Sequence, residues 1–246
     1  MIDCPEAGVL LVDKPVGATS FAMVRAVRKI FGIKKVGHAG TLDPFATGLL
    51  IVCIGRPATK LISQFMDGDK EYLATLKLGA RSSTQDPEGD IRPGIWDEKY
   101  SGELISSVLS GFVGEIMQTP PAFSALKHKG KPLYHYARKG VPITKEPRNV
   151  HIHSLEWEDQ RSFVDSGNPY ITIKVVSGKG TYIRALAADI GDNLGCGAYL
   201  TSLRRTRSGC FFVEDSLDGT AFSRPEPLET AQKYLLSVGD VQNLLQ

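Results

Sequence analysis

The stretch Gly37-His38-Ala39-Gly40-Thr41-Leu42-Asp43-Pro44-Phe45-Ala46-Thr47-Gly48-Leu49-Leu50 is the most informative part of this 246-residue chain. Its three glycines predict a tight loop that brings the backbone close to another group. The apolar run at residues 49–54 has the length of a strand and predicts a buried one. Asp43 precedes a proline, so its backbone is expected to be extended. Spacing alone indicates that Asp43 caps a turn, because Asp-Pro sequences often do.

The patterns on either side of this stretch predict an α+β fold, with a mixed, largely antiparallel sheet flanked by helices. Thr19 or Ser20 is expected to cap a helix that ends at Gly32. Alternating apolar residues predict further strands at residues 8–13, 72–78, 151–157, 170–176 and 199–205. Further helices are predicted at residues 57–65, 97–109, 132–139, 181–194 and 227–236.

The composition is that of a globular protein, with 42% hydrophobic and 23% charged residues, which excludes disordered and fibrous chains. The four cysteines form no CxxC pair and no cluster with zinc spacing, so neither a disulfide framework nor a metal site is expected. The longest apolar run, residues 48–54, is far short of the ~20 residues of a membrane span. With no apolar signal region near Asp3 and Glu6, the sequence predicts a cytoplasmic protein without a membrane partner.

The formal net charge is only +2, but the charges are unevenly placed. Residues 14–42 hold six basic residues and no acidic one, and residues 118–150 hold seven basic residues against Glu146. A third basic cluster lies at residues 204–207, whereas acidic residues concentrate at 86–103 and after residue 210. Such a chain can present one positive face that attracts a polyanion. For any single cluster, an ordinary solvated surface remains the alternative.

The identity of the residues in several motifs, beyond their pattern of charge and hydrophobicity, resembles that of a known family. The Asp43 stretch resembles the catalytic motif of the TruB family of tRNA pseudouridine synthases, and the similarity covers residues 8–209. The other similar segments are Lys14-Pro15-x-Gly17-x-Thr19-Ser20, Lys70-Glu71-Tyr72, Gln118-Thr119-Pro120-Pro121-Ala122-Phe123-Ser124-Ala125, Gly178-Lys179-Gly180-Thr181-Tyr182-Ile183-Arg184, and Gly195-Cys196-Gly197-Ala198 through Leu203-Arg204-Arg205. The resemblance implies the pseudouridine synthase fold and isomerisation of uridine to pseudouridine at position 55, in the T loop of tRNA. It implies no cofactor, because the reaction adds nothing to the RNA.

The resemblance also implies three catalytic residues. Asp43 would be the nucleophile, attacking C6 of the base or C1′ of the sugar, or assisting elimination to a glycal; the sequence leaves these routes open. Arg184 would hold the charge of that carboxylate under a bound base. Tyr72 would stack on the target base and is a candidate for removing the C5 proton. By spacing alone, Tyr72 is an ordinary aromatic residue on a strand.

The substrate-binding residues follow from the same resemblance. His38 would fill the space vacated by the flipped base, and Tyr182 would line the base pocket. The backbone of Leu203 would form hydrogen bonds with the uracil edge, and Lys14 would support the active-site loop. A basic, proline-rich segment at residues 123–148 is expected to close over an RNA stem-loop. The predicted RNA-binding residues are Lys127, Lys129, Lys131, Arg138, Arg204 and Arg205.

The domain organisation departs from the family pattern in one respect. Residues 1–209 are predicted to form the catalytic domain, and residues 210–246 a short acidic tail instead of the complete RNA-binding PUA domain of bacterial relatives. A smaller departure is Val176-Ser177-Gly178, where many relatives have a cysteine-serine pair. The expected partner is the T stem-loop of tRNA, bound by a monomer without an obligatory protein partner.

Two other functions compete with isomerisation. A non-catalytic tRNA-binding or refolding protein would use the same basic face and would not need Asp43. A glycoside hydrolase with an aspartate nucleophile would need a second carboxylate about 5 to 9 Å away. Within the similar segments only Glu71 could supply it, and a basic surface does not suit a neutral sugar.

Overall fold

The computed structural model describes residues 6–96, 100–158, 160 and 169–245. The chain divides into two compact units, one formed by Met1–Glu71 with Arg204–Gln246 and the other by Tyr72–Leu203. The helices are α1 (Ser20–Phe31), α2 (Gly55–Thr59), α3 (Ile62–Asp67), α4 (Gly102–Ser110), α5 (Leu133–Ala137), α6 (Ile183–Leu194), α7 (Pro227–Lys233) and α8 (Val238–Leu244). Short 3-10 turns lie at Val213–Asp215 and Gly219–Ser223.

The strands are β1 (Gly8–Lys14), β2 (Val36–Ala39), β3 (Thr47–Ile54), β4 (Lys70–Leu78), β5 (Ala80–Ser82), β6 (Ile91–Pro93), β7 (Gly114–Gln118), β8 (Lys127–His128), β9 (Lys131–Pro132), β10 (Arg148–Trp157), β11 (Tyr170–Ser177), β12 (Ala198–Ser208), β13 (Phe211–Phe212), β14 (Leu217–Asp218) and β15 (Leu235–Leu236). Helices and strands thus combine as in an α+β protein with a mostly antiparallel sheet, and that fold prediction is confirmed. None of the described helices combines the length and apolar character that crossing a bilayer requires.

The first unit is built around β1 and β3, which pair antiparallel along their whole length. The strand order is β14-β1-β3-β12, with β2 also antiparallel to β3 and β12 parallel to it. Because side chains alternate along a strand, the two faces of this sheet form two separate apolar cores. Leu10 and Leu50 pack under α1 on one face, whereas Leu11 and Ile51 pack under α2 and α3 on the other.

Helix α1 has the boundaries that its sequence predicts. The Thr19 hydroxyl accepts a hydrogen bond of 3.0 Å from the Ala22 backbone N–H, and Gly32 ends the helix at φ +67°. The buried face, Met23, Val24, Val27 and Phe31, follows the three-to-four spacing of an amphipathic helix. Each such side chain contributes about 1.5 to 3 kcal/mol by leaving water. The opposite face of α1 is therefore directed to solvent.

Within the second unit, the strands pair in the order β4-β11-β10-β7. Strand β10 lies antiparallel to both β11 and β7. Helix α6 is buried along most of its length and packs with α4. Two small hairpins, β5–β6 and β8–β9, extend from this unit.

The residues after Gly209 belong to the core of the first unit. Strand β14 pairs parallel with β1, and β15 pairs antiparallel with β1. Ala231 and Val241 are fully buried, one in each of the two apolar cores. The structure therefore divides the chain at 71/72 and 203/204, not after residue 209 as the sequence predicted, because the apolar residues of the acidic tail complete the first unit.

Candidate active site

Asp43 lies in the loop between β2 and β3, and the backbone is fixed on both sides of it. The buried Ser20 hydroxyl donates to the Leu42 carbonyl at 3.0 Å and accepts from the Leu42 N–H at 2.9 Å. On the other side, the Pro44 carbonyl accepts a hydrogen bond of 2.8 Å from the Gly17 N–H. The Asp43 side chain is half-buried. The carboxylate thus stands on a loop that is held in one conformation before any ligand binds.

Lys14 supports this loop from the end of β1. Its side chain is fully buried, and the ammonium donates to the carbonyls of Pro15 at 3.0 Å, Ala18 at 2.7 Å and Pro44 at 3.3 Å. A buried ammonium is tolerated when its donors are satisfied, as these are. These three contacts join the end of β1 to the backbone at residues 15–18 and to Pro44, the residue after Asp43.

Arg205 holds the beginning of the same loop. Its guanidinium is 2% exposed and donates to the Leu49 carbonyl at 2.7 Å and the Gly40 carbonyl at 3.0 Å. The adjacent strands are so close that a Cβ on Gly48, at φ +99°, would lie 2.3 Å from the Arg205 carbonyl oxygen. The prediction that Arg205 contacts RNA is corrected here, because its buried guanidinium binds backbone carbonyls and offers no surface to a phosphate.

His38 lies on β2 and is half-buried. Burial lowers the pKa of its imidazole, and the nearby Arg205 charge lowers the pKa further. Both effects favour the neutral imidazole over the imidazolium.

In the second unit, Arg184 stands in the first turn of α6 and is 3% exposed. Its guanidinium donates to the Thr84 carbonyl at 2.9 Å and to the Phe123 carbonyl at 2.7 Å. It also forms an ion pair of 3.4 Å with Asp86, whose carboxylate is itself buried. Asp86 accepts hydrogen bonds from the Thr84 hydroxyl and from the Glu88 N–H. The guanidinium plane is thus set by three protein groups.

Asp86 is a functional candidate that the sequence analysis missed. It was counted only among the acidic residues at 86–103, whereas the structure buries it beside Arg184. The available signal was Asp86-Pro87-Glu88, because an Asp side chain before a proline favours a turn in which it accepts from the N–H two residues further on. Nothing in the local pattern identified Arg184 as the partner, since the two residues are far apart in sequence.

Tyr182 is the N-cap residue of α6 and is fixed by a glutamine on β7. The buried Gln118 side chain accepts from the Tyr182 N–H at 2.8 Å and donates to the Tyr182 carbonyl at 3.1 Å. The guanidinium carbon of Arg148 lies 5.2 Å from the Tyr182 ring centroid, within cation–π range. Tyr72, on β4, is half-buried, and Leu203, on β12, is 7% exposed.

The predicted site residues therefore fall into two groups by unit. The first unit contains the nucleophile candidate with its supporting loop, namely Lys14, His38 and Asp43. The second unit contains the predicted charge-holding and base-contacting residues, namely Tyr72, Tyr182, Arg184 and Leu203. Within the described ranges, no group of three or more His, Cys, Asp or Glu side chains is placed to hold a metal ion.

The basic hairpin β8–β9 presents its lysines to solvent. Lys129, at φ +47°, and Gly130, at φ +79°, form a two-residue turn with positive φ at both positions. Lys127, Lys129 and Lys131 are all exposed. Arg138 is exposed as well, with its guanidinium carbon 5.4 Å from the Tyr134 ring centroid.

Arg204 differs from these exposed cations because its charge is already paired. Its guanidinium makes two parallel hydrogen bonds to the Asp13 carboxylate, at 2.9 and 2.6 Å. This hydrogen bonding raises the pKa of Arg204 above its usual value. A phosphate at Arg204 would have to compete with an internal carboxylate.

Comparison with known proteins identifies the class of this fold and site. Residues 28–183 match the family model "TruB family pseudouridylate synthase (N terminal domain)", and residues 184–232 match "tRNA pseudouridylate synthase B C-terminal domain". Among solved structures, the chain is similar to one in a Cbf5-Nop10-Gar1 complex, with TM-score 0.67 and 29% identity over 95% of this chain and 60% of that one. These matches define a pseudouridylate synthase.

Curated relatives narrow the assignment to one family. The chain is 54% identical to tRNA pseudouridine synthase B of Desulfotalea psychrophila, over 98% of this chain and 97% of the relative. It is 43% identical to the protein of the same name from Protochlamydia amoebophila, over 90% of this chain and 82% of the relative. The chain belongs to the TruB family, as its motifs predicted.

Proposed function

We propose that this protein isomerises uridine to pseudouridine at position 55, in the T loop of tRNA. The observation that carries the proposal is the Asp43 loop, a carboxylate held between two fixed backbone segments inside the motif of the family. The relatives' name, tRNA pseudouridine synthase B, supports tRNA as the substrate. The reaction breaks the N1–C1′ bond, turns the base and forms a C5–C1′ bond; the C5 proton leaves and N1 gains one.

Asp43 acts as the nucleophile in this proposal, on C6 or on C1′, or by assisting a glycal route. Arg184 holds the charge of the Asp43 carboxylate when the base covers it. Its bonds to Thr84, Phe123 and Asp86 support that role, because a guanidinium fixed in advance loses little entropy when substrate binds. In this proposal, Tyr72 stacks on the base and is the candidate for taking the C5 proton.

The target uridine must be extruded from the folded loop, which costs a few kcal/mol. Stacking on an aromatic ring such as Tyr72 offsets about 1 to 3 kcal/mol of that cost. A neutral His38 fills the space that the base leaves, and Tyr182 lines the base pocket. Leu203 contributes backbone groups to the uracil edge, since its side chain cannot read a base.

The phosphate backbone of the T stem-loop is bound by the exposed residues of the basic hairpin and α5, namely Lys127, Lys129, Lys131 and Arg138. Their exposure and charge support this assignment, and Arg204 contributes less because Asp13 pairs with it. We propose that the protein acts as a monomer in the cytoplasm, where its tRNA substrate is found.

The decisive experiment is tritium release from an unmodified tRNA transcript labelled at C5 of uridine. Wild type should release tritium, whereas Asp43→Asn should lose turnover and keep its affinity for the transcript, because the amide preserves shape but is not a nucleophile. Asp215→Asn, the same change at an exposed carboxylate of the same unit, is the control and should behave as wild type. A refolding protein would instead keep its whole activity in Asp43→Asn and release no tritium, which would reject the proposal.

A further inference from the structure

The solvent-facing side of α1 combines an aromatic ring with three cations. We call Phe21, Arg25, Arg28 and Lys29 the α1 face; their spacing of four, seven and eight residues places them on one side of the helix. Phe21 is 54% exposed, and both Arg25 and Lys29 are exposed. The guanidinium carbons of Arg25 and Arg28 lie 5.7 and 5.6 Å from the Phe21 ring centroid. The ring thus contacts two guanidinium groups, of which that of Arg28 also donates to the Val36 carbonyl at 2.8 Å and that of Arg25 is exposed.

The charges of this face are not neutralised by the protein. In the part of the chain that the structure describes, neither Arg25 nor Lys29 lies within ion-pair distance of a carboxylate. This is the opposite of the 204–205 pair, in which Arg204 is bound to Asp13 and Arg205 is buried. No acidic residue occurs between residues 14 and 42, so the helix itself contributes only positive charges. Such a surface recognises a polyanion.

The α1 face is connected directly to the loop of the candidate nucleophile. Ser20, the first residue of α1, makes both hydrogen bonds that fix Leu42, the residue before Asp43. Lys29 lies nine residues further along the helix, about 14 Å away at 1.5 Å per residue. A nucleic acid strand rises about 3.4 Å per nucleotide, so this distance corresponds to roughly four nucleotides.

We propose that the α1 face is a second RNA-contacting surface, which binds the phosphate backbone of the substrate about two to four nucleotides from the target uridine. The inference rests on the proposed function, since it takes RNA as the polyanion. Arg25 and Lys29 contact phosphates, and Phe21 keeps the Arg25 guanidinium in place. The positive charge of residues 14–42 is evident from the sequence, but Phe21, Arg25 and Lys29 were not among the predicted RNA-binding residues.

The test compares two double variants that remove the same charge from opposite faces of one sheet. Arg25→Ala/Lys29→Ala removes two cations from the α1 face, and Arg56→Ala/Lys60→Ala removes two exposed cations next to α2, under which the other apolar core lies. Equilibrium binding of an unmodified tRNA transcript is measured over a range of salt concentrations. Thermal unfolding of each variant verifies that it is folded.

Loss of two phosphate contacts should flatten the plot of log affinity against log salt by about 1.4 to 1.8. At about 0.1 M salt this corresponds to roughly 25- to 60-fold weaker binding, if the contacts contribute nothing near 1 M. The α2 control should keep the wild-type slope. A triple change of Lys127, Lys129 and Lys131 to alanine, measured alongside, gives the effect of the predicted hairpin contacts.

An α1 variant with the wild-type slope and affinity would overturn the inference and leave isomerisation untouched. If wild type releases no tritium but the α1 variant still weakens tRNA binding, the proposed reaction is wrong and the RNA surface stands.

Discussion

Two buried arginines, one in each unit, fix backbone loops in the same way but differ in their charge environment. Arg205 donates to the carbonyls of Leu49 and Gly40, and Arg184 to those of Thr84 and Phe123. Arg184 also has the Asp86 carboxylate at 3.4 Å. Among the described residues, no carboxylate lies within ion-pair distance of Arg205.

This difference shows two uses of a buried guanidinium. That of Arg205 binds only backbone carbonyls, whereas that of Arg184 also pairs with a carboxylate. The carbonyls compensate Arg205 with partial charges alone, so its positive field extends to His38 and lowers the pKa of that imidazole. The charge of Arg184 is instead partly compensated by the Asp86 carboxylate, which also restricts the orientation of the guanidinium. The two roles can be tested separately, by removing the Arg205 guanidinium in one variant and the Asp86 carboxylate in another.

The largest effect is expected for Arg205→Met. The carbonyls of Leu49 and Gly40 would lose buried donors, at a cost of about 1 to 3 kcal/mol each, so the free energy of unfolding should fall by about 2 to 6 kcal/mol. Arg204→Met is the matched control at the next residue. Its pair with Asp13 is partly exposed, and a loss of about 1 kcal/mol or less is expected. Urea denaturation measures both, and equal losses would contradict the distinction.

A smaller effect on stability, but a clear one on turnover, is expected for Asp86→Asn. The amide keeps hydrogen-bond acceptors but removes the counter-charge of a buried Arg184, so unfolding should become easier by about 1 to 3 kcal/mol. Because Arg184 would be misoriented, kcat should fall about tenfold or more while KM changes little. Asp90→Asn, at an exposed carboxylate of the same hairpin, should leave both parameters unchanged. A rise in KM at constant kcat would exclude a positioning role for Asp86.

The smallest effect concerns the titration of His38, followed by NMR. Its pKa should lie below 6.5 in wild type; Arg205→Met should raise it in part, since burial, the larger cause, remains. The folded state then binds fewer protons at His38 than the unfolded state does near pH 6. Stability should therefore decline as the pH falls below 6.5, down to the folded pKa. An unchanged His38 pKa in Arg205→Met would show that the arginine field does not reach the ring.

Local signals predicted the elements whose ends are set by neighbouring residues. Thr19 and Gly32 bound α1 because a hydroxyl cap and a left-handed glycine act within one turn. The predicted helix at 227–236 instead ends at Lys233, because Leu235 and Leu236 pair with β1, which no local pattern could show. The helix predicted at 57–65 is two short helices, Gly55–Thr59 and Ile62–Asp67. A helix was also predicted at residues 97–109. The observed helix α4 begins at Gly102, and residues 97–99 of the predicted helix lie outside the described residues.

The same limit applies to the candidate site. Motif resemblance selected Asp43 and Arg184 and included Gln118 in a similar segment, but the contacts of Asp86 with Arg184 and of Gln118 with Tyr182 join distant segments and became visible only in the structure. Charge counting treated Arg204 and Arg205 like the exposed cations of the hairpin, because a sequence does not reveal which cations are already paired or buried.

The Ser20 hydroxyl donates one hydrogen bond to Leu42 and accepts another from it. These two bonds restrict which amino acids can replace Ser20. Alanine, glycine and valine would each break both bonds at once, and larger polar side chains would not fit at a position that is 2% exposed. Position 20 must therefore remain a small hydroxyl residue if the loop that carries Asp43 is to keep both hydrogen bonds, whereas no such restriction applies to the exposed positions of α1.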